Sequence, residues 1–217
     1  TFSYGKALYK YPQSEFPYTR LVDENRRRGK GDREYELEDT GAFDRGYWDV
    51  FVEYGKGGPD DVLIRITAVN RGGEPAKLHL LPQVWLRNTW SWGRRGEGYD
   101  PMGTITRVPE GARIIQPTLG PFRLDVEGDR ELLFTDNVTN AERLWGSPSA
   151  SKYTKDAFHR RVIAGERAAV NPQSTGTKLA AWHVVDVAPG AQHVLRLRLR
   201  ADSVAGGFSD FHAVFEK

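Results

Sequence analysis

The last clear strand of the chain limits the fold more than any other feature. From His193 to Arg200, His193, Leu195, Leu197 and Leu199 alternate with Arg196, Arg198 and Arg200. A period of two puts the leucines on one face of a strand and the arginines on the other, which a helix of period 3.6 does not do. One buried and one wet face is the habit of antiparallel sheets. The pattern therefore predicts leucines against a core and arginines in water. Leu179 to Val187 precedes it across Ala188-Pro189-Gly190, so the two segments are expected to form a hairpin.

The alternation recurs upstream. In Tyr47 to Tyr54, Trp48, Val50, Val52 and Tyr54 share one face while Asp49 and Glu53 lie on the other. Val62 to Val69 is rich in β-branched residues, with Arg65 and Thr67 facing away from Ile64 and Ile66. The Gly-Pro-Asp stretch over 55–61 is a turn, and a second turn over 70–75 leads into a strand from Lys77 to Arg87. These three segments predict an antiparallel meander. Shorter strands are expected at Gly103 to Val108, Ala112 to Gln116, Phe122 to Glu127 and Glu131 to Thr135. Thr154 to Ile163 reads as a short helix, with Phe158 and Val162 four apart. Near the end, Ser209 is a candidate N-cap, and Phe208, Phe211 and Phe215 fall at helical spacing. The fold class expected is all-β, an antiparallel β-sandwich with one or two short helices. Residues 1–205 form the sandwich, and 206–217 open a linker helix whose apolar stripe reads as unfinished.

Length and composition narrow the class further. At 217 residues the chain suits one large β domain. No apolar run approaches the roughly 20 residues of a membrane span, so no membrane partner is expected. The chain has no cysteine, which removes disulfides and thiolate metal sites. With no signal-like apolar stretch at its start, it reads as cytoplasmic. Its 31 basic and 29 acidic residues leave a net charge of +2, too little to favour nucleic acid. The basic run from Arg26 to Lys30 is flanked by Asp23, Glu24, Asp32 and Glu34 and reads as a solvated turn.

The search for chemistry returns little. Acid pairs such as Asp44 with Asp49, or Glu97 with Asp100, carry no sign of facing each other across a bond, and turn or solvated roles suit them better. His79, His159, His183, His193 and His212 lack the close pairing usual in zinc sites. The oxygen-rich run Thr135 to Asn140 suits an Asx-rich turn better than a Ca²⁺ loop. No phosphate cradle or nucleophile elbow is present, so neither a cofactor nor a metal is expected. The densest feature is Trp85-Leu-Arg-Asn-Thr-Trp-Ser-Trp-Gly93. Arg87, Asn88, Trp90 and Trp92 at a strand end suit stacking on a sugar and bonding its hydroxyls, sealing the edge of the core, or anchoring a neighbouring domain.

At this segment the chain resembles the N-terminal domain of bacterial glucosidase-like proteins, similar to glycoside hydrolase family 63 and to mannosylglycerate-hydrolase-like enzymes. The resemblance extends through YPQSEFPYTRLVDENRRRG, LEDTGAFDRGYWDVFVEYGK, LIRITAVNRG, LLFTDNVTNAERLWG, KDAFHRRVIAGE and NPQSTGTKLAAWHVV. It implies a β-supersandwich placed before an (α/α)₆ barrel, which supplies the catalytic acid and base and hydrolyses with inversion. On that basis the chain is a non-catalytic domain that packs on its own C-terminal barrel and helps shape the active site, where oligosaccharide binds. The rival expectation is a stand-alone carbohydrate-binding module with Trp90 and Trp92 as its platform.

Overall fold

A computed structural model describes residues 2–96, 98–99, 101–128 and 130–216. In chain order the described elements are β1 (Tyr4–Pro12), α1 (Tyr18–Arg26), β2 (Tyr47–Gly58), β3 (Asp61–Asn70), β4 (Ala76–Leu80), β5 (Gln83–Trp85), β6 (Thr104–Val108) and β7 (Gly111–Gln116). They continue with β8 (Gly120–Val126), β9 (Glu131–Thr135), α2 (Ala141–Trp145), α3 (Ala157–Val162), β10 (Thr175–Gly176), β11 (Lys178–Val187), β12 (Gln192–Ala201) and α4 (Phe211–Phe215). One sheet runs β1-β2-β3-β12-β8-β7-β6-β10. In the other, β11 pairs with β4, β5 and β9. The chain is therefore all-β and mostly antiparallel, of the sandwich class, with four short α-helices among the described residues. Of these, α1 and α2 fall outside the two helical stretches read from sequence.

Two connections differ from the sequence reading. β11 and β12 lie in different sheets and form no hairpin. The turn between them is bound instead to buried Asn70 at the end of β3. Asn70 N–H donates to the Ala191 carbonyl (3.0 Å), its carbonyl accepts from Gly190 N–H (3.0 Å), and its side-chain amide donates to the Val187 carbonyl (2.9 Å). The expected meander holds for β2 and β3, but the third segment leaves their sheet and breaks into β4 and β5. Pro82, which lacks an N–H, sits at the break, and its carbonyl accepts from Ala181 N–H (3.0 Å).

The chain divides into two compact units, whose borders fall within β2, β3, β4, β11 and β12. The first comprises Thr1–Tyr54, Arg65–Leu78 and Val185–Leu195, with Trp48, Ile66, Ala68 and Leu195 buried in it. The second comprises Gly55–Ile64, His79–Val184 and Arg196–Lys217, with Leu63, Ile105, Phe134, Leu179, Leu197 and Phe211 fully buried. Within the second, β6, β7 and β8 form a true meander, which puts Ile105, Ile114 and Phe122 side by side on one face. Leu124 faces Leu199, and Val126 faces Leu197, on that same face. The leucine face of β12 thus meets a core, as its alternation predicts.

Two of the three arginines on the other face do not meet water. Arg198 and Arg200 are only 5% and 8% exposed. Arg198 holds Asp61 through two hydrogen bonds (2.8 and 2.7 Å), and Arg200 donates to Asp125 (2.7 Å). The segment after β12 lies over these arginines. Arg198 also donates to the Gly207 carbonyl (3.0 Å) and to Asp210 (2.8 Å), and Arg200 donates to the Val204 carbonyl. Where Phe215 and Val214 of α4 meet β2, the strand carries Gly55, whose absent Cβ would stand 3.3 Å from the Phe215 ring. The Phe208, Phe211 and Phe215 stripe is therefore packed rather than unfinished, with Phe211 fully buried and the other two half-buried. Asp210, not Ser209, stands at the N-cap position. Its carboxylate serves Arg198 instead of capping the helix.

Candidate functional site

The four residues singled out from sequence lie after β5 in a turn and a short 3₁₀ helix, Trp90–Trp92, closed by Gly93 at φ 65°. A strand would place residues two apart on one face, but a 3₁₀ helix of three residues per turn points them about 120° apart. Trp90 and Trp92 accordingly do different things. Trp90 is half-buried and lines a cleft of about 660 Å³ with Arg94, Arg95, Tyr99, Pro101 and Thr118. Trp92 is 56% exposed and meets Tyr99 edge-on, with ring centroids 5.9 Å apart. The Arg87 guanidinium lies 6.0 Å from the centre of the Trp92 ring, at the outer limit of a cation–π contact. Arg94 donates to the Tyr99 hydroxyl at 3.0 Å.

Asn88 is committed to the scaffold. Its amide donates to the Asn137 carbonyl (2.9 Å), and its carbonyl oxygen accepts from Ser91 N–H (3.2 Å), which closes the turn. Asn137 returns a bond to the Leu86 carbonyl (3.0 Å). The structure thus brings Trp90 to a cleft with Arg94, Arg95 and Tyr99, and leaves Trp92 and Arg87 on its outer side. Trp85, 56% exposed, belongs elsewhere. It stands on β5 directly opposite Lys178 of β11. Sequence reading missed Tyr99 and Thr118, because neither lies within the tryptophan run that drew notice.

Of the acidic candidates, Asp49 is structural. Asp49 is buried and accepts from Lys10 (2.6 Å) and Arg71 (2.7 Å). Burial works to raise its carboxyl, but these two cations outweigh burial and hold it below the usual carboxylate range. Asp44 is exposed. Glu97 and Asp100 lie outside the described residues. Glu53, expected on a wet face, is buried. Hydrogen bonds from Arg65 pull its carboxyl down to about 2, with the Tyr4 hydroxyl (2.7 Å) helping. With Asp61 on Arg198 and Asp125 on Arg200, every buried carboxylate among the described residues faces a cation.

Within the run from Thr135 to Asn140, the side-chain oxygens of Asp136 and Asn140 serve the chain itself. Asp136 accepts from Ser151 (2.7 Å) and from Thr177 N–H (3.1 Å), and Asn140 caps α2 by accepting from Arg143 N–H (3.0 Å). Among the described residues no group of three or more His, Asp or Glu is placed to hold a metal. His79 accepts from the Trp182 indole N–H (3.1 Å) and stacks on its ring. No described helix is long and apolar enough to cross a membrane. The Arg26 to Lys30 run begins at the end of α1 and enters a turn. There Arg27 pairs with Glu24 (2.9 Å) and Arg28 bonds the Arg33 carbonyl (2.5 Å).

No family model matches the chain. It is similar to the uncharacterized protein YMR196W of Saccharomyces cerevisiae, 34% identical over 239 residues that take in 93% of this chain and 22% of that protein. The chain thus spans about a fifth of the length of the curated relative it matches.

Proposed function

We propose that the chain is the N-terminal sandwich domain of a glucosidase-like glycoside hydrolase, itself non-catalytic, which packs on a helical catalytic domain and helps shape its active site. The observation that carries this reading is the fate of the buried acids. A glycosidase acid must hold its proton near neutral pH, which burial away from cations achieves. Asp49, Glu53, Asp61 and Asp125 are instead each bound to a lysine or arginine, and Asp49 and Glu53 are pulled toward the ionised form. Acid and base then come from another part of the protein, in keeping with a relative several-fold longer than this chain. The resemblance places them in an (α/α)₆ barrel and adds oligosaccharide as the ligand. The absence of cysteine suits a cytoplasmic home.

The site-shaping part falls to the Trp90 to Tyr99 cleft, where aromatic faces and arginine donors stand together at the surface. In the full-length enzyme, Trp90→Ala and Trp92→Ala should lower kcat/KM on oligosaccharides by roughly tenfold, the equivalent of about 1.4 kcal/mol, with the melting temperature nearly unchanged. An unchanged kcat/KM in both variants would remove this segment from the active-site rim.

A second reading, a stand-alone carbohydrate-binding module, draws on the exposure of Trp92 beside Arg87. It requires saccharide binding by residues 1–217 alone, abolished by Trp90→Ala. A glycan titration of the isolated chain that shows no millimolar affinity would exclude it.

A further inference from the structure

Trp85 belongs neither to the cleft nor to the core, and its surroundings have a chemistry of their own. Registers along β11 put Trp85, Lys178 and Thr135 in one row, since residues directly opposite in an antiparallel ladder share a face. Two residues further along, Gln83, Ala180 and Leu133 form the next row. Phe158 of α3 packs on Ala180 and Leu133, which leaves Lys178 between two rings. Its ammonium lies 5.7 Å from the centre of Trp85 and 5.5 Å from that of Phe158.

An ammonium in such a place normally finds a carboxylate. Lys178 has none among the described residues. The nearby acids on adjoining elements are already engaged. Asp136 is held by Ser151 and Thr177, Asp156 by Thr154, Asn140 and Arg143, and Glu131 by Arg161. The segment that carries Lys155 runs beside the chain leaving Thr135, with Asp136 N–H donating to the Tyr153 carbonyl (2.7 Å) and Lys155 N–H to the Val138 carbonyl (3.0 Å), and burial and the charge of Lys155 both push the Lys178 amine down. Opposite Lys178, the buried Thr135 hydroxyl also has no hydrogen-bond partner. A half-buried cation, a second cation and an unused hydroxyl lie beside an indole that is 56% exposed.

We propose that Lys178 and Lys155 form an anion-binding site that takes the oxyanion of a small organic ligand and rests its apolar body on Trp85. Two ammoniums without a counter-ion favour an oxyanion through charge-assisted hydrogen bonds, and the flat ring favours a ligand with an apolar face. The oxyanion is a carboxylate or a phosphate, which present the same chemistry to two lysines. This site is separate from the Trp90 cleft and does not depend on the proposed glycosidase role.

The test follows the ε-methylene NMR signals of lysine in residues 1–217 at constant ionic strength. Inorganic phosphate, glucuronate, acetate and glucose are titrated in turn, with chloride as the control. Saturable shifts of the Lys178 and Lys155 signals are expected with phosphate, glucuronate or both, and none with glucose. Stronger binding of glucuronate than of acetate would place the ligand body on Trp85. Lys178→Met keeps the apolar stem, and Lys155→Gln changes only an exposed residue, so each should fold. Each should weaken binding roughly tenfold or more. If neither anion moves Lys178 beyond the chloride control, or if both variants bind as the parent does, the proposal is wrong.

Discussion

Arg198→Met tests what holds the end of the chain on its sheet. The substitution keeps most of the apolar stem but leaves the Asp61 carboxylate, with a side chain 7% exposed, without its counter-ion. It also breaks the bonds to the Gly207 carbonyl and to Asp210, through which the segment before α4 is held. Removing one partner of a buried pair costs about 3–5 kcal/mol, because the remaining charge stays desolvated. For a chain of this size each kcal/mol is worth roughly 2–4 °C, so the melting temperature should fall by roughly 6–20 °C. Asp210→Asn is the control. Its side chain is half exposed, so its pair contributes under about 1 kcal/mol, and melting should shift by no more than about 4 °C. Combining Arg198→Met with Asp61→Leu removes the stranded charge, so the double variant should be more stable than Arg198→Met alone. Circular-dichroism melts measure these three and Asp61→Leu alone, and limited proteolysis of residues 202–210 reports release of the segment. If Arg198→Met costs no more than Asp210→Asn, or if the double variant is the sum of its parts, the buried-pair reasoning fails.

Other outcomes follow from the same structure. The Glu53 carboxyl sits at about 2 when folded, against an ordinary value of 4.5, so its ionised form adds about 3 kcal/mol at neutral pH. A lowered acid loses its contribution as pH falls, so the stability gap between the parent and Glu53→Gln should close between about pH 5 and pH 2; a constant gap would contradict this. Phe211→Ala empties a fully buried position and should cost about 3–5 kcal/mol in urea unfolding. Gly111→Ala would drive a methyl into the Leu124 carbonyl oxygen across the β7–β8 ladder, and should cost about 1–3 kcal/mol in the same measurement. Trp92→Ala, at an exposed position, should change stability by less than about 0.5 kcal/mol.

Most strands were legible because period-two patterns survive in any antiparallel sheet, but β1 was not, since only its last residue is buried and it shows no apolar face. β6, β7, β8 and β9 lie within a few residues of the segments read from alternation. Strand neighbours were not legible. Alternation states which face a residue takes but not which strand lies beside it, so β11 and β12 were joined although they belong to different sheets. The arginine face of β12 was misjudged for a related reason. Arg198 and Arg200 look wet beside leucines, and only the fold brings Asp61 and Asp125 to them, over separations of 137 and 75 residues. The helix α1 went unread because it buries no residue and so shows no apolar stripe. At the Trp85 to Gly93 segment the residue types were informative, but their directions were not. The strand ends at Trp85, and the 3₁₀ turn beyond it separates two tryptophans that a strand would have aligned.

A domain that serves a catalytic centre held elsewhere in its protein, as proposed above, has no activity when separated from it. The most direct measurement compares the full-length protein with residues 1–217 alone on a panel of α-glucosides and α-mannosides, following the anomer released by NMR. The account predicts hydrolysis with inversion by the full-length protein and no turnover by the isolated domain. Turnover by the isolated domain, or a full-length protein that cleaves no glycoside, would contradict it.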